Sequence, residues 1–336
     1  MAAFGFFYPV RFTTRLILWI AASMLVVGCA SVAPQPSATP ESAAPRPRPA
    51  KVFGSVPAQF KLDATEAYLI DNNSGTVLYE LNADTRLEPG SLAKLMTFYL
   101  ALNALTAKRI SLKSNVIIGS DVAAIAKDRT LSRMFLRQGQ QVSFQDLLYG
   151  MMVHSGCDAA QAIADYLAGD SASFVAQMNS EAQSLGMMNT HFTQPNGLPE
   201  PGEYTTAHDM VILARAVLRD HPEATTYTSR RYFAFDGVKQ KNTNGLLFLD
   251  SRVEGLKTGH VRAAGFHLVA FARSNNDEMV SAVMGAPTDF RRTNDSELLI
   301  GWAFANFRAG SPKSHPLSSA GAMPENGAAP GPLGIR

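Results

Sequence analysis

A chain of 336 residues, 46% of them hydrophobic, has enough apolar material for one large core or two modest ones. Its formal net charge of +2 lacks the basic excess that nucleic-acid binding needs, so no nucleic-acid partner is expected. The two cysteines, Cys29 and Cys157, exclude a disulfide framework, and no unbroken apolar run reaches the length of a strong transmembrane candidate.

Residues 1–28 read as an export signal of the lipoprotein type. Arg11 and Arg15 precede an apolar run over 16–27, and no acidic residue occurs before Glu41. The run ends in Leu25-Val26-Val27-Gly28-Cys29-Ala30, which resembles a bacterial lipobox and implies cleavage ahead of a diacylglycerol-modified Cys29. Residues 29–52 then read as the lipidated Cys29 and a tether. Pro34, Pro36, Pro40, Pro45, Pro47 and Pro49 among Ala, Ser and Thr cannot build a core and favour extended polyproline conformations. At about 3.1 Å per residue, such a segment reaches up to about 60 Å.

Residues 66–70 and 76–79 predict a hairpin across the turn residues 72–75. Pro89-Gly90 then leads into a helix over 95–105 that is apolar on nearly every side and is therefore expected to be buried. The stretch 111–180 reads as mostly helical, including 144–153, 159–168 and 173–185, and Thr206 to Asp209 resembles a capping box for a helix over 210–218. Residues 232–238 and 252–256 predict strands framing a loop, and 265–273 and 279–285 predict a second hairpin. A last helix is expected from about 295 to 308, followed by a disordered Pro, Gly, Ala and Ser tail over 309–336. Strands near both ends with helices between them predict an α+β fold. Its antiparallel sheet has about five strands, is closed by N- and C-terminal segments and packs against a mainly helical region.

Ser91 and Lys94, three apart, put a hydroxyl beside an amine on one face of a first helical turn. One such pair arises by chance about once in a chain of this length. Ser155-Gly156-Cys157 about sixty residues on and Lys257-Thr258-Gly259 about a hundred beyond that make an ordered triple, expected by chance in under about a tenth of such chains. With these motifs the chain resembles the penicillin-binding serine peptidases, specifically the low-molecular-mass D-alanyl-D-alanine carboxypeptidases of the β-lactamase/transpeptidase-like fold. The resemblance extends to 67–71, 77–80, 178–192, 205–210 and 253–256, and defines a catalytic domain over 53–308.

That resemblance implies Ser91 as nucleophile, Lys94 as its base and Ser155 as the proton relay to the leaving amine. Cys157, Lys257, Thr258, Gly259, His260 and Arg292 would contact substrate, and the N–H groups of Ser91 and His260 would hold the oxyanion. A serine hydroxyl needs a base, and Lys94 can serve only as a neutral amine, a form that burial and a second cation, Lys257, favour. The implied reaction trims peptidoglycan pentapeptide stems through a Ser91 acyl-enzyme that β-lactams also form. A D,D-endopeptidase and a non-catalytic peptidoglycan-binding lipoprotein are the alternatives. A class A β-lactamase is disfavoured, because Tyr204 and Ala207 stand four residues after Glu200 and Glu203 where that chemistry needs asparagine.

The implied partners are stem peptides, β-lactams as covalent inhibitors and a membrane reached through the N-terminal lipid, on the periplasmic side of a bacterial membrane. No cofactor is implied, and the histidines show no metal-ligand spacing, so no metal is expected. Three positions depart from the family pattern. Cys157 stands where asparagine is usual, Thr243 lies in a loop where arginine is frequent, and Val261 follows His260 where a hydroxyl residue is common. Arg292 lies in Asp289-Phe290-Arg291-Arg292, read as a loop, where it or Arg291 would pair with a terminal carboxylate.

Overall fold

The computed structural model describes residues 58–307 together with the backbone of Lys51–Val52. The readings of 1–28, of most of 29–52 and of 309–336, including lipidation of Cys29, fall outside the described residues.

The turn residues 72–75 close their hairpin. Strands β2 (Glu66–Asp71) and β3 (Val77–Leu81) pair antiparallel, and the Gly75 N–H donates to the Asp71 carbonyl at 2.8 Å. The two-residue strand β1 (Lys51–Val52) adds to the outer side of β3, two residues ahead of the expected domain start. From the other end of the chain, β8 (Val253–Val261), β9 (Gly265–Ser274) and β10 (Asp277–Ala286) form a meander, and β10 pairs with β2. The antiparallel sheet therefore has the order β1, β3, β2, β10, β9, β8, with five substantial strands and one short edge strand. N- and C-terminal segments meet at its centre.

Both faces of the sheet are covered, and strand alternation assigns the residues to each. On β9, Val269 and Phe271 join the larger core with the helical region, while Leu268, Ala270 and Ala272 join a second core. That second core is capped by α8 (Asp289–Asn306) through Leu299, Ile300, Ala303 and Phe304. The larger core is built around α1 (Lys94–Thr106), buried at nine positions including Leu95, Met96, Phe98 and Leu102, as its all-round apolar sequence requires.

Between the two halves of the sheet run α2 (Ser120–Lys127), α3 (Phe144–Val153), α4 (Cys157–Ala168), α5 (Ser171–Leu185), α6 (Ala207–Asp220) and the short α7 (Thr225–Thr228). The Thr206 hydroxyl caps α6 by accepting from the Asp209 N–H at 3.0 Å.

Three local readings change. The helical stretch contains a small ribbon of β4 (Asn115–Ile117) and β5 (Gln141–Ser143), each too short to show a period. Residues 232–238 are not one strand. They are β6 (Tyr232–Phe235) and a turn at Asp236-Gly237, both at positive φ, that returns as β7 (Val238–Lys241). The last helix starts six residues early because Thr288 caps it, accepting from the Arg291 N–H at 3.1 Å, so Arg291 and Arg292 lie in its first turn and not in a loop.

One buried carboxylate fixes the segment between α2 and β5. Asp158, fully buried near the start of α4, accepts from the backbone N–H groups of Met134 at 2.8 Å, Leu136 at 3.2 Å and Ala159 at 2.9 Å. Removing it strands three buried donors. Asp158→Ala is expected to lower the unfolding free energy by about 2–4 kcal/mol in denaturant titrations, and Asp158→Asn by less, because the amide oxygen still accepts.

Candidate active site

Pro89-Gly90 and the following turn place Ser91 one helical step ahead of α1. A 3-10 turn over Gly90–Ala93 precedes the helix, and the Lys94 Nζ comes to 2.8 Å from the Ser91 Oγ. Lys94 is fully buried. Its Nζ also donates to the Asn196 carbonyl at 2.5 Å and lies 3.4 Å from the Cys157 Sγ.

Two glycines allow the backbones to close on this pair. Gly90 has φ +53°, and a Cβ there would come within 3.0 Å of the His260 carbonyl on β8. Gly197 has φ +67°, and a Cβ there would collide with the Gly90 carbonyl.

Ser155 sits in the three-residue corner between α3 and α4 with φ +63°, a left-handed conformation uncommon outside glycine. The corner turns the Ser155 Oγ to 2.9 Å from the Nζ of Lys257 on β8. Lys257 is 1% exposed and also donates to the Thr258 carbonyl at 2.9 Å. Burial pushes its amine well below the ordinary lysine range, and the nearby Lys94 charge pushes the same way. A second serine and lysine pair thus faces the first, and Cys157 lies between them as the first residue of α4.

These residues surround a cleft of about 540 Å³. Ser91, Ser155, Cys157, Thr258, Gly259, His260 and Arg292 all line it, while Lys94 and Lys257 lie behind the two serines. Every site residue read from the motifs is therefore at one place. Arg292 is buried, pairs with Asp289 and donates to the Thr243 carbonyl at 3.4 Å. The Thr243 Oγ lies 2.7 Å from that of Thr258, so the position that departs from the family pattern faces the middle residue of the Lys257 motif.

Four participants carry no motif. Asn196 supplies the carbonyl on Lys94, and its side-chain amide donates to the Gln161 Oε1 at 3.4 Å while the Gln161 Nε2 donates to Asp165 at 2.8 Å. Polar residues inside the apolar pattern of α4 were the available signal. Glu203 is 4% exposed, and burial pushes its carboxyl up to about 8 against the downward pull of the Lys94 charge. A neutral acid therefore stands near the lysine.

His267 is fully buried on β9. Its Nδ1 accepts from the Gly285 N–H at 3.0 Å and its Nε2 lies 3.1 Å from the Glu88 carbonyl, which fixes the Nε2–H tautomer and anchors the segment entering the Ser91 turn. The strand pattern places it on an inward position, the only hint in the sequence.

The sequence profile of the D-alanyl-D-alanine carboxypeptidase family matches residues 53–288. The chain belongs to this family. D-alanyl-D-alanine carboxypeptidase DacC of Escherichia coli (strain K12) is 42% identical over 254 residues, which is 75% of this chain and 64% of that relative. The chain spans a little under two thirds of the length of the curated relatives that it matches first. Penicillin binding protein 5 from Haemophilus influenzae superposes with a TM-score of 0.73 at 41% identity, over 76% of this chain and 74% of that one. Penicillin-binding protein D2 from Listeria monocytogenes, in its cefotaxime bound form, superposes with a TM-score of 0.67 at 31% identity, over 73% of this chain and 99% of that one. The family's fold is therefore the fold of this chain.

Burial holds His267 neutral, with its pKa pushed down to about 4 from 6.5. Its contribution to stability is fully present above pH 6.5 and is lost as pH falls through 4, where protonation of Nδ1 removes the acceptor for Gly285. NMR titration of the ring is expected to show neutral-form shifts down to about pH 4. A midpoint near 6.5 would mean that the ring is not held as described.

Proposed function

We propose that the protein is a serine-type D-Ala-D-Ala carboxypeptidase that trims peptidoglycan pentapeptide stems and is acylated by β-lactams. The observation that carries this reading is the pair of serine and lysine contacts facing one cleft, 2.8 Å for Ser91 with Lys94 and 2.9 Å for Ser155 with Lys257. Family membership and the likeness to penicillin-binding proteins support it.

In this reading Lys94, as a free amine, takes the Ser91 proton while the Ser91 Oγ attacks the carbonyl between the two D-alanines. The N–H groups of Ser91 and His260 hold the oxyanion. Ser155 passes its proton to the leaving D-alanine amine and takes up in its place the proton that Lys94 had removed from Ser91, while Lys257 holds the Ser155 hydroxyl in position, so that Lys94 is again a free amine. Water then enters and attacks the ester carbonyl as it gives a proton to Lys94, and that proton returns to the Ser91 Oγ as the shortened stem leaves. Thr258 and Gly259 flank the substrate backbone, Lys257 and Thr258 face its terminal carboxylate as hydrogen-bond donors, and Arg292 supplies the positive charge. Cys157 occupies the space of the usual asparagine and offers Lys94 a weak sulfur partner in place of an amide oxygen.

The same proposal covers the rest of the chain. Residues 1–28 act as a lipoprotein signal peptide, 29–52 as a tether beginning at lipidated Cys29, 53–308 as the catalytic domain and 309–336 as a disordered tail. The enzyme would then stand on the periplasmic side of a bacterial membrane. Support comes from the basic, apolar and small-residue order of the first thirty residues and from the proline-rich segment after them.

Incubation with a pentapeptide stem, with a cross-linked stem and with penicillin, read by mass spectrometry, is expected to release one D-alanine from the pentapeptide and to leave a covalent penicillin adduct on Ser91. Ser91→Ala should remove both, with a stability change of about 1 kcal/mol or less, and Lys94→Met should block acylation. A wild type that gives neither product nor adduct would leave the non-catalytic binding lipoprotein as the better reading, and release from a cross-linked stem alone would favour the endopeptidase.

Cys29→Ala is expected to move the protein from the membrane fraction to the soluble fraction while its rate on small peptides is unchanged, since a diacylated cysteine supplies the two chains that stable anchoring takes. An unmodified Cys29 in the intact mass of the wild type would refute the anchor.

A further inference from the structure

The near-neutral charge of the whole chain conceals a local excess. Residues 129–141 contain Arg129, Arg133 and Arg137 with no acid, and residues 229–242 contain Arg230, Arg231, Lys239 and Lys241 with Asp236 alone. Seven basic side chains stand against one acidic one in a chain whose formal net charge is +2.

The fold joins these two segments. The Gln240 Nε2 donates to the Arg133 carbonyl at 2.8 Å, and Arg137 pairs with Asp236 at 2.7 Å. In the β6 and β7 hairpin, Phe233 and Gln240 face inward, while Tyr232 opposite Lys241 and Ala234 opposite Lys239 face solvent. The exposed cations sit on aromatic rings. The Lys239 Nζ lies 4.6 Å from the Tyr232 ring centre and the Lys241 Nζ 4.3 Å from that of Phe248, with Tyr232 itself 45% exposed.

The inner ends of both segments reach the catalytic cleft. Thr130 to Ser132 and Lys241 to Thr243 line it, so the hairpin and the 129–137 loop form a basic, aromatic ledge at its mouth. No step of the proposed reaction uses this ledge.

We propose that the ledge holds the polymeric peptidoglycan around the stem being cut, and that it discriminates polymer from free peptide. This inference rests on the proposed substrate. Every untrimmed stem ends in a carboxylate, so the polymer presents a row of anions at intervals along a chain of sugar rings. Exposed ammonium and guanidinium groups match the first, and exposed ring faces match the second. A membrane covering the ledge would also cover the cleft mouth and shut out the polymer, which is why the wall and not an anionic bilayer is the partner of choice.

The test uses the full chain with Cys29→Ala as parent, so that no lipid anchor contributes, and adds Lys239→Glu with Arg230→Glu. Neither residue lines the cleft. D-alanine release is measured on insoluble sacculi and on a soluble pentapeptide, with co-sedimentation on sacculi at rising salt. Turnover of sacculi and co-sedimentation are expected to fall about tenfold, the salt dependence of the parent to flatten, and kcat/KM on the soluble peptide to stay within about twofold. Lys239→Arg alone, which keeps the charge, should retain the parent behaviour.

Equal losses on both substrates would make the ledge merely structural, and unchanged behaviour on sacculi would overturn the proposal. Binding to phosphatidylglycerol vesicles that depends on Lys239 and Arg230, with sacculus binding unaltered, would assign the ledge to lipid instead. A parent that cleaves neither substrate defeats the proposed reaction, while co-sedimentation still tests the ledge separately.

Discussion

The structure depends on holding the amine of Lys94 out of water against the hydroxyl of Ser91. Burying an amine without hydrogen-bond partners is costly, and the fold meets that cost by placing partners around it. The Ser91 Oγ and the Asn196 carbonyl lie within hydrogen-bond distance of its Nζ, and the Cys157 sulfur completes the surroundings. Each acceptor comes from a different part of the chain: the turn before α1, the loop near residue 196 and the start of α4. Much of the surrounding architecture can be understood as the means of bringing those parts together. Two glycines let the backbones touch, a left-handed Ser155 turns the corner between α3 and α4, and Asp158 pins the neighbouring loop.

The second lysine makes the arrangement asymmetric in a useful way. Lys257 is buried on a central stretch of β8, and both burial and the Lys94 charge act against its ammonium form. Two amines close to one cleft, each bonded to a serine, can exchange protons with those serines without rearranging heavy atoms. That is the property a two-step acyl transfer requires, because the proton taken at attack must be given back at a different atom on departure. His267 supports the same site from behind, tying the Glu88 carbonyl to the sheet so that the turn carrying Ser91 enters at a fixed angle.

Legibility varied with how local each feature is. The helix over α3 and the hairpin of β2 and β3 follow from short-range period and turn chemistry, and the structure has them where the sequence predicts them. The sequence hides the start of α8 because the residues after the Thr288 cap, 289–297, carry no strong apolar period. Once the cap is recognised, Arg292 moves from a solvated loop to a buried helical turn beside the cleft. The β6 and β7 hairpin reads as one strand in the sequence because Asp236-Gly237 sits inside a run of β-forming residues that masks the turn signal.

By itself the sequence determined the class of fold, the order of the three motifs and, through the resemblance they carry, the motif residues of the site. Those depend on residue type and on spacing along the chain, which are local properties. Only the tertiary structure decided which backbone carbonyl receives Lys94, that Gln161, Glu203 and His267 stand behind the site, and that two basic segments distant in sequence meet beside the cleft. Contacts between residues a hundred or more positions apart are set by how helices and strands pack, and no period or motif within one segment encodes its partner in another.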